Sequence, residues 1–282
     1  RSSDLPIDTT AVIDANTIPI GLYSWKIDSR FGNVTFVPVD TLTHAFQNTN
    51  DTGGMTGQYN YLGNLGSPRL SRLFFDRRDA SQFFFTDPYD LTVLRPEDII
   101  FTNTLSPFTN LSYYKTFDSR NGEERFKSYF AINANKRFGV GFYIDYLYGR
   151  GLYASQSTAF FNGGLFASYR GDKYNMHFIF NNDNLKMAEN GGIADDRYIT
   201  NPLDMAEGKK EYKSYDIPTN LNKVWNHNTS YHVFMTQRYN LGFHKEKTDS
   251  VTKDSVRIIQ EFVPVTSFIH TLQVDLNEIG RA

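Results

Sequence analysis

Cysteine is missing from all 282 residues, which excludes a disulfide framework and any cysteine-based zinc centre. Long apolar runs are missing too. The densest patch, Phe83-Phe84-Phe85, is closed by Gln82 and Thr86, well short of the roughly 20 apolar residues a membrane helix requires. A helical membrane protein is thereby excluded. Neither sign of charge dominates: 29 Lys and Arg against 31 Asp and Glu leave a formal charge of −2. The chain exerts no whole-protein pull on nucleic acid, and no nucleic-acid partner is expected. A His-Glu-x-x-His pair, a Gly-x-Ser-x-Gly elbow and a Walker A loop are all absent, so the expectation is no enzyme, no cofactor and no metal centre. The chain opens Arg1-Ser2-Ser3-Asp4 with neither Met nor an apolar leader, and reads as a mature or trimmed product.

Aromatic residues, by contrast, make up 16% of a chain whose hydrophobic fraction is an ordinary 40%, with 24 Phe and 18 Tyr. The rings are spread among polar neighbours. From residue 1 to 108 the pattern is irregular and rich in Pro, Gly, Asn and Asp, which predicts a loop-rich, mostly non-helical region. Tyr59 through Pro68, aromatic and Gly-rich, is expected to pack on another surface as a plug or docking segment.

From about Asn110 the period becomes two, the repeat of a strand. Between Glu124 and Lys136, Phe126, Phe130 and Ile132 alternate with Lys127 and Tyr129. Between Val140 and Tyr148, Phe142 and Ile144 alternate with Tyr143 and Asp145, and the carboxylate marks the face that avoids lipid. From Thr158 to Tyr169, Phe161 and Leu165 keep the oily side, while Phe160 and Phe166 interrupt the polar one. Met176, Phe178 and Phe180 oppose His177 between Tyr174 and Asn181, and Tyr231, Val233 and Met235 oppose His232 and Arg238 between Ser230 and Leu241. Asn110–Thr116 and Glu261–Gln273 bring the total to about seven strands. Short turns at Lys136–Gly139 and Gly171–Lys173 contrast with a long polar excursion over residues 186–228, the loop asymmetry of an outer-membrane barrel. The predicted fold is therefore all-β: an antiparallel transmembrane β-barrel in residues 109–282, preceded by a plug-like region on the periplasmic side or inside the lumen, with a soluble β-sandwich as the alternative that alternation alone also fits.

In that fold Lys127, Tyr129, Asp145, His177, His232 and Arg238 line the pore, where water solvates charge. Phe126, Phe130, Ile132, Phe142, Ile144, Phe161, Leu165, Met176, Phe178 and Phe180 face lipid. The excursion carries Glu189, Asp195, Asp196, Asp204 and Glu207, oxygen ligands for a hard cation; their spacing matches no calcium loop, and a solvated acidic loop is favoured. Histidines at 44, 177, 227, 232, 244 and 270 form no compact zinc pattern. Trp25 and Trp225 suit an interfacial aromatic girdle or a sugar-stacking surface.

Several long strings carry a family resemblance. They are Pro19–Trp25 with Arg30–Asn33, Phe46–Asn50, Tyr59–Arg69, Ser106–Lys115, Asp145–Gly151, Leu185–Ile193 with Asp196–Pro202, and Phe262–Thr271. On these the chain resembles the putative porins of Bacteroidota outer membranes. The resemblance implies a bacterial outer-membrane barrel for passive diffusion of small hydrophilic solutes, in contact with outer-membrane lipid and without catalytic residues. Members of that family are much longer, and a bacterial single-chain barrel has an even strand number of at least 8, so the sequence is expected to be an incomplete portion of a longer barrel. Alternative readings are a plugged barrel that docks a lipoprotein or another outer-membrane subunit, and a surface glycan-binding β module. A TonB-dependent transporter has only Ala11-Val12-Ile13 in its favour.

Overall fold

The computed structural model describes residues 21–39, 52–54, 56–117, 121–206, 213–252 and 255–281. Ala11-Val12-Ile13, His44, Phe46–Asn50 and Glu207 lie outside them. The chain is all-β. Seven antiparallel strands form one sheet in chain order: β6 (Phe108–Lys115), β7 (Glu123–Asn133), β8 (Phe138–Arg150), β9 (Ser157–Arg170), β10 (Tyr174–Glu189), β11 (Val224–Thr252) and β12 (Ser255–Arg281). Among the described residues β6 and β12 are not paired with each other, so the sheet has two edges.

Local chemistry sets the connections. In the β7–β8 turn the Asn135 carboxamide accepts the backbone N–H groups of Arg137 (2.8 Å) and Phe138 (2.9 Å), the local bond that makes Asn a turn residue. Glycine at 191 and 192 supplies the positive φ that turns the chain out of β10. The excursion occupies residues 190–223, narrower than the sequence pattern predicts, because Lys186–Glu189 and Val224–Asn228 are strand. Its described residues include two short α-helices, α1 (Arg197–Thr200) and α2 (Pro202–Met205).

Strands β11 and β12 continue beyond the start of β10 at Tyr174, which pairs with Tyr239. A register shift at Leu241/Gly242, opposite Pro264, bends the hairpin at that rim. A bulge is where a strand tolerates proline, which cannot donate to the ladder.

The amino-terminal residues are less irregular than expected. Strands β1 (Tyr23–Ile27), β2 (Val34–Val37) and β5 (Phe101–Asn103) make a small sheet in the order β2-β1-β5, and β3 (Tyr59–Tyr61) pairs with β4 (Arg69–Ser71). These pieces lie on one face of the large sheet and close two apolar clusters against it. Trp25, Ile27, Ile99 and Phe101 pack with Ala131, Tyr143, Phe166, Ile179 and Phe234. Leu65 and Tyr89 pack with Leu147, Phe160, Leu185 and Met187. Gly66 permits that second approach, since a Cβ there would meet Leu147 and Phe160.

Candidate functional site

Pairing register divides the large sheet into a covered face and an open one. Each residue below is assigned by its cross-strand partners: Asn110, Tyr129, Tyr143, Gly164, Asn181, His232 and Asp275 form one continuous row on the covered face.

All six residues expected to line a pore fall on the covered face. The Tyr129 hydroxyl donates to the Ile100 carbonyl at 2.9 Å and accepts from Thr102 Oγ1 at 2.8 Å. Asp145 takes a two-pronged ion pair from Arg125, Nε to Oδ1 at 2.9 Å and Nη2 to Oδ2 at 2.6 Å, and Arg125 also donates to the Leu91 carbonyl at 3.0 Å. The Trp25 indole N–H donates to His177 Nε2 at 3.1 Å. Arg238 donates to the Phe31 carbonyl and to Asn33 Oδ1. His232 Nδ1 sits 2.8 Å from Asp275 Oδ1. Lys127 is exposed, opposite Asp145 in the ladder.

Four of the six therefore hold the amino-terminal segment directly or through one residue, and they bring together parts of the chain that lie far apart in sequence. Arg125 is the functional residue that the sequence reading missed. Its position two residues before Lys127 already placed it on the same face.

The covered face also accounts for the interrupted polar side of β9. Phe160 meets the Tyr89 ring edge-on at 5.7 Å, and Phe166 meets Phe101 at 5.6 Å and stacks on Tyr129 at 5.4 Å. These rings are apolar because an apolar segment lies over them.

A cleft of about 730 Å³ remains between residues 78–97 and strands β11 and β12, with His232 and Asp275 on the sheet side and Asp87, Arg95 and Glu97 opposite. Outside the strands, the Asp28 carboxyl is held below the usual carboxylate range: slight burial opposes this, and the backbone N–H groups of Phe31, Asn33 and Arg30 prevail. Burial raises the Tyr89 hydroxyl well above the ordinary tyrosine value.

The open face carries Phe126, Phe130, Ile132, Phe142, Ile144, Phe161, Leu165, Met176, Phe178 and Phe180, each out of phase with the covered row. Phe142 is 36% exposed, Phe161 47% and Leu165 56%. Phe138, Tyr169, Tyr174, Tyr239 and Phe268 lie on this face near the short-turn rim. Trp225 lies on it near the other rim, beneath the Lys186 ammonium at 4.5 Å. Trp25 is corrected here: at 2% exposure it belongs to the covered cluster and not to any girdle. In the excursion, Asp195 is tied to Arg197, and among the described residues no three His, Asp or Glu groups are placed to hold a metal.

Fold and site together define an all-β protein whose seven-stranded antiparallel sheet has one ring-rich open face and one face packed by its own amino-terminal segment. The putative porin family matches residues 21–279, nearly the whole chain, and the chain belongs to that family. No curated protein and no solved structure matches it.

Proposed function

We propose that the chain is part of a bacterial outer-membrane channel through which small hydrophilic solutes diffuse passively, without covalent chemistry. The observation that carries this reading is the division of faces. Ten apolar or aromatic side chains stand open on one side of the strands while charged and amide groups gather on the other. Water is a poor solvent for the first face and hydrocarbon for the second.

Dimensions support it. From Phe138 to Tyr148, β8 keeps an apolar open face over ten residue steps, about 33 Å of strand. At a tilt of about 40° this corresponds to a height of about 25 Å, the apolar thickness of outer-membrane barrels. The open face then contacts outer-membrane lipid.

The described residues between 21 and 107 occupy the lumen in this reading, and the solute path runs beside them through the cleft lined by His232 and Asp275. A second reading, a plugged barrel that serves a lipoprotein or another outer-membrane subunit, is favoured by the burial of Trp25, Phe101 and Leu65 on the covered face. Planar-bilayer conductance of the full-length protein separates the two. Steady conductance supports the channel, and silence in the wild type supports the plugged barrel.

A further inference from the structure

Between the two apolar clusters the covered face carries a belt of polar side chains. One row across β8 to β12 reads Tyr143, Gly164, Asn181, His232, Asp275, and the next reads Asp145, Asn162, Asp183, Ser230, Asn277. The clusters built on Phe166, Ile179 and Phe234 and on Leu147, Phe160 and Leu185 lie on either side. Polar groups set between two apolar layers are costly unless something satisfies them.

Asp183 is the centre of this belt. It is 1% exposed, and neither of its oxygens has a hydrogen-bond partner in the protein. Its direct cross-strand neighbours are Asn162 and Ser230, whose side chains are buried and equally unpartnered. Neighbours opposite each other in a ladder have Cβ atoms about 4.5–5.5 Å apart, so the three side chains are immediate neighbours.

Gly164 shapes the adjoining wall. A Cβ there would lie 2.6 Å from Tyr143 Cε1 and 2.7 Å from Asn181 Oδ1, so these two side chains close over the glycine. The Tyr143 hydroxyl and Asn181 Oδ1 are themselves buried without a partner. The nearest basic group is His232, with Nε2 3.6 Å from Asp183 Oδ2. Its Nδ1 is already directed at Asp275, so even a protonated His232 between two carboxylates leaves one negative charge uncompensated.

We propose that this cluster binds a hard monovalent cation of the sodium class, held by Asp183 and by the neutral oxygens of Asn162, Asn181, Ser230 and Tyr143. Oxygen-only donors of this kind suit hard cations. A single uncompensated carboxylate suits one positive charge. His232 and Asp275, at the wall of the open cleft, mark the route in. The proposal does not depend on solute passing through the cleft.

Sodium NMR relaxation on the full-length protein in non-ionic detergent tests it, titrating NaCl with choline chloride to hold ionic strength constant. The wild type is expected to give a saturable excess relaxation. Asp183→Asn, which keeps the size of the side chain, weakens binding by about tenfold or more, as loss of a charged ligand does. Asp195→Asn, in the exposed excursion, leaves it unchanged. If Asp183→Asn does not fold, Ser230→Ala decides, with measurable weakening expected. Absence of saturable relaxation in the wild type, or unchanged affinity in the folded Asp183 variant or in Ser230→Ala, overturns the site and means that water or a protonated carboxyl satisfies the belt. Neither result bears on conductance.

Discussion

Trp25→Ala is the substitution that acts most directly on the hold of the amino-terminal segment. The indole is 2% exposed and stacks on Phe101 at 5.9 Å, with the Arg170 guanidinium 4.8 Å from its ring. Truncating a buried aromatic side chain to Ala costs about 3–5 kcal/mol. His177 Nε2, which accepts the indole N–H inside the cluster, then loses its partner at a further cost of about 1–3 kcal/mol. If all of this falls on docking, the released segment gains about 10³- to 10⁶-fold in population; that is an upper bound, because Phe101 and Ile99 remain. The seven-stranded ladder does not include Trp25, so the strands of the large sheet are expected to persist. Full-length variant in planar bilayers should show larger or more frequent openings than wild type, and residues 21–107 should be cut sooner by protease. Leu62→Ala, at a side chain 66% exposed, is the control. Unchanged conductance together with unchanged protease resistance refutes the claim that this indole secures a lumenal segment.

Three further outcomes follow from the same contacts. Asp145→Ala strands the buried Arg125 guanidinium and should cost about 3–5 kcal/mol in urea unfolding, whereas Arg125→Met with Asp145→Leu recovers most of the loss; a single-variant cost below about 1 kcal/mol would show that the pair is water-exposed. Gly141→Ala places a methyl against the Phe130 carbonyl and the Phe166 ring and should lower the unfolding midpoint by the equivalent of about 1–3 kcal/mol, with an unchanged midpoint counting against this packing. Asp28 has a folded pKa below its unfolded value. Its contribution to the β1–β2 turn is complete above the ordinary carboxylate pKa of about 4 and disappears as pH falls through the lowered value. Protease cutting at that turn should therefore rise on acidification in the wild type and be flat with pH in Asp28→Asn.

The seven strands were legible because β7, β8 and the first half of β10 alternate cleanly, and alternation reports facing. It does not report what covers a face. His177 and Tyr129 read as pore residues for that reason, although Trp25 and Thr102, both more than 25 positions away in sequence, are their partners. The same limit hid β1. Tyr23, Trp25 and Ile27 alternate with Ser24 and Lys26, but over only five residues inside an irregular stretch, and nothing in that run shows that Ser24 is buried beside Trp25. Strand ends were misjudged where one face changes character. On β10, Asn182, Asn184 and Lys186 interrupt the oily side, yet the ladder continues to Glu189 because pairing needs only backbone groups. The polar belt was invisible as well, because its members come from five strands and only register assembles them.

That interruption on β10 has a geometric meaning. On β8 the apolar open face runs from Phe138 to Tyr148; on β11 it runs from Tyr231 to Phe243, with Gln237 inside it. Following the ladder, Tyr231 lies in the row of Ile144 and Gln237 in the row of Phe138. The band has thus moved four residues at one end and six at the other, toward the short-turn rim, over three strands. Strands about 4.8 Å apart and tilted by about 40° require a stagger of about four residues over that width. In the proposed outer-membrane setting, tilt therefore accounts both for polar Asn184, His227 and Thr229 on the open face and for the extension of β11 and β12 past the other strands. A band perpendicular to the strands makes the opposite assignment, with Thr229 inside it and Tyr239 outside. Tyr239→Arg is expected to cost about 2–4 kcal/mol if it lies near the midplane, and Thr229→Arg about 0–1 kcal/mol, measured by folding into lipid vesicles from urea. Reversal of that order would exclude a tilted band, and equal small costs would exclude hydrocarbon on this face altogether.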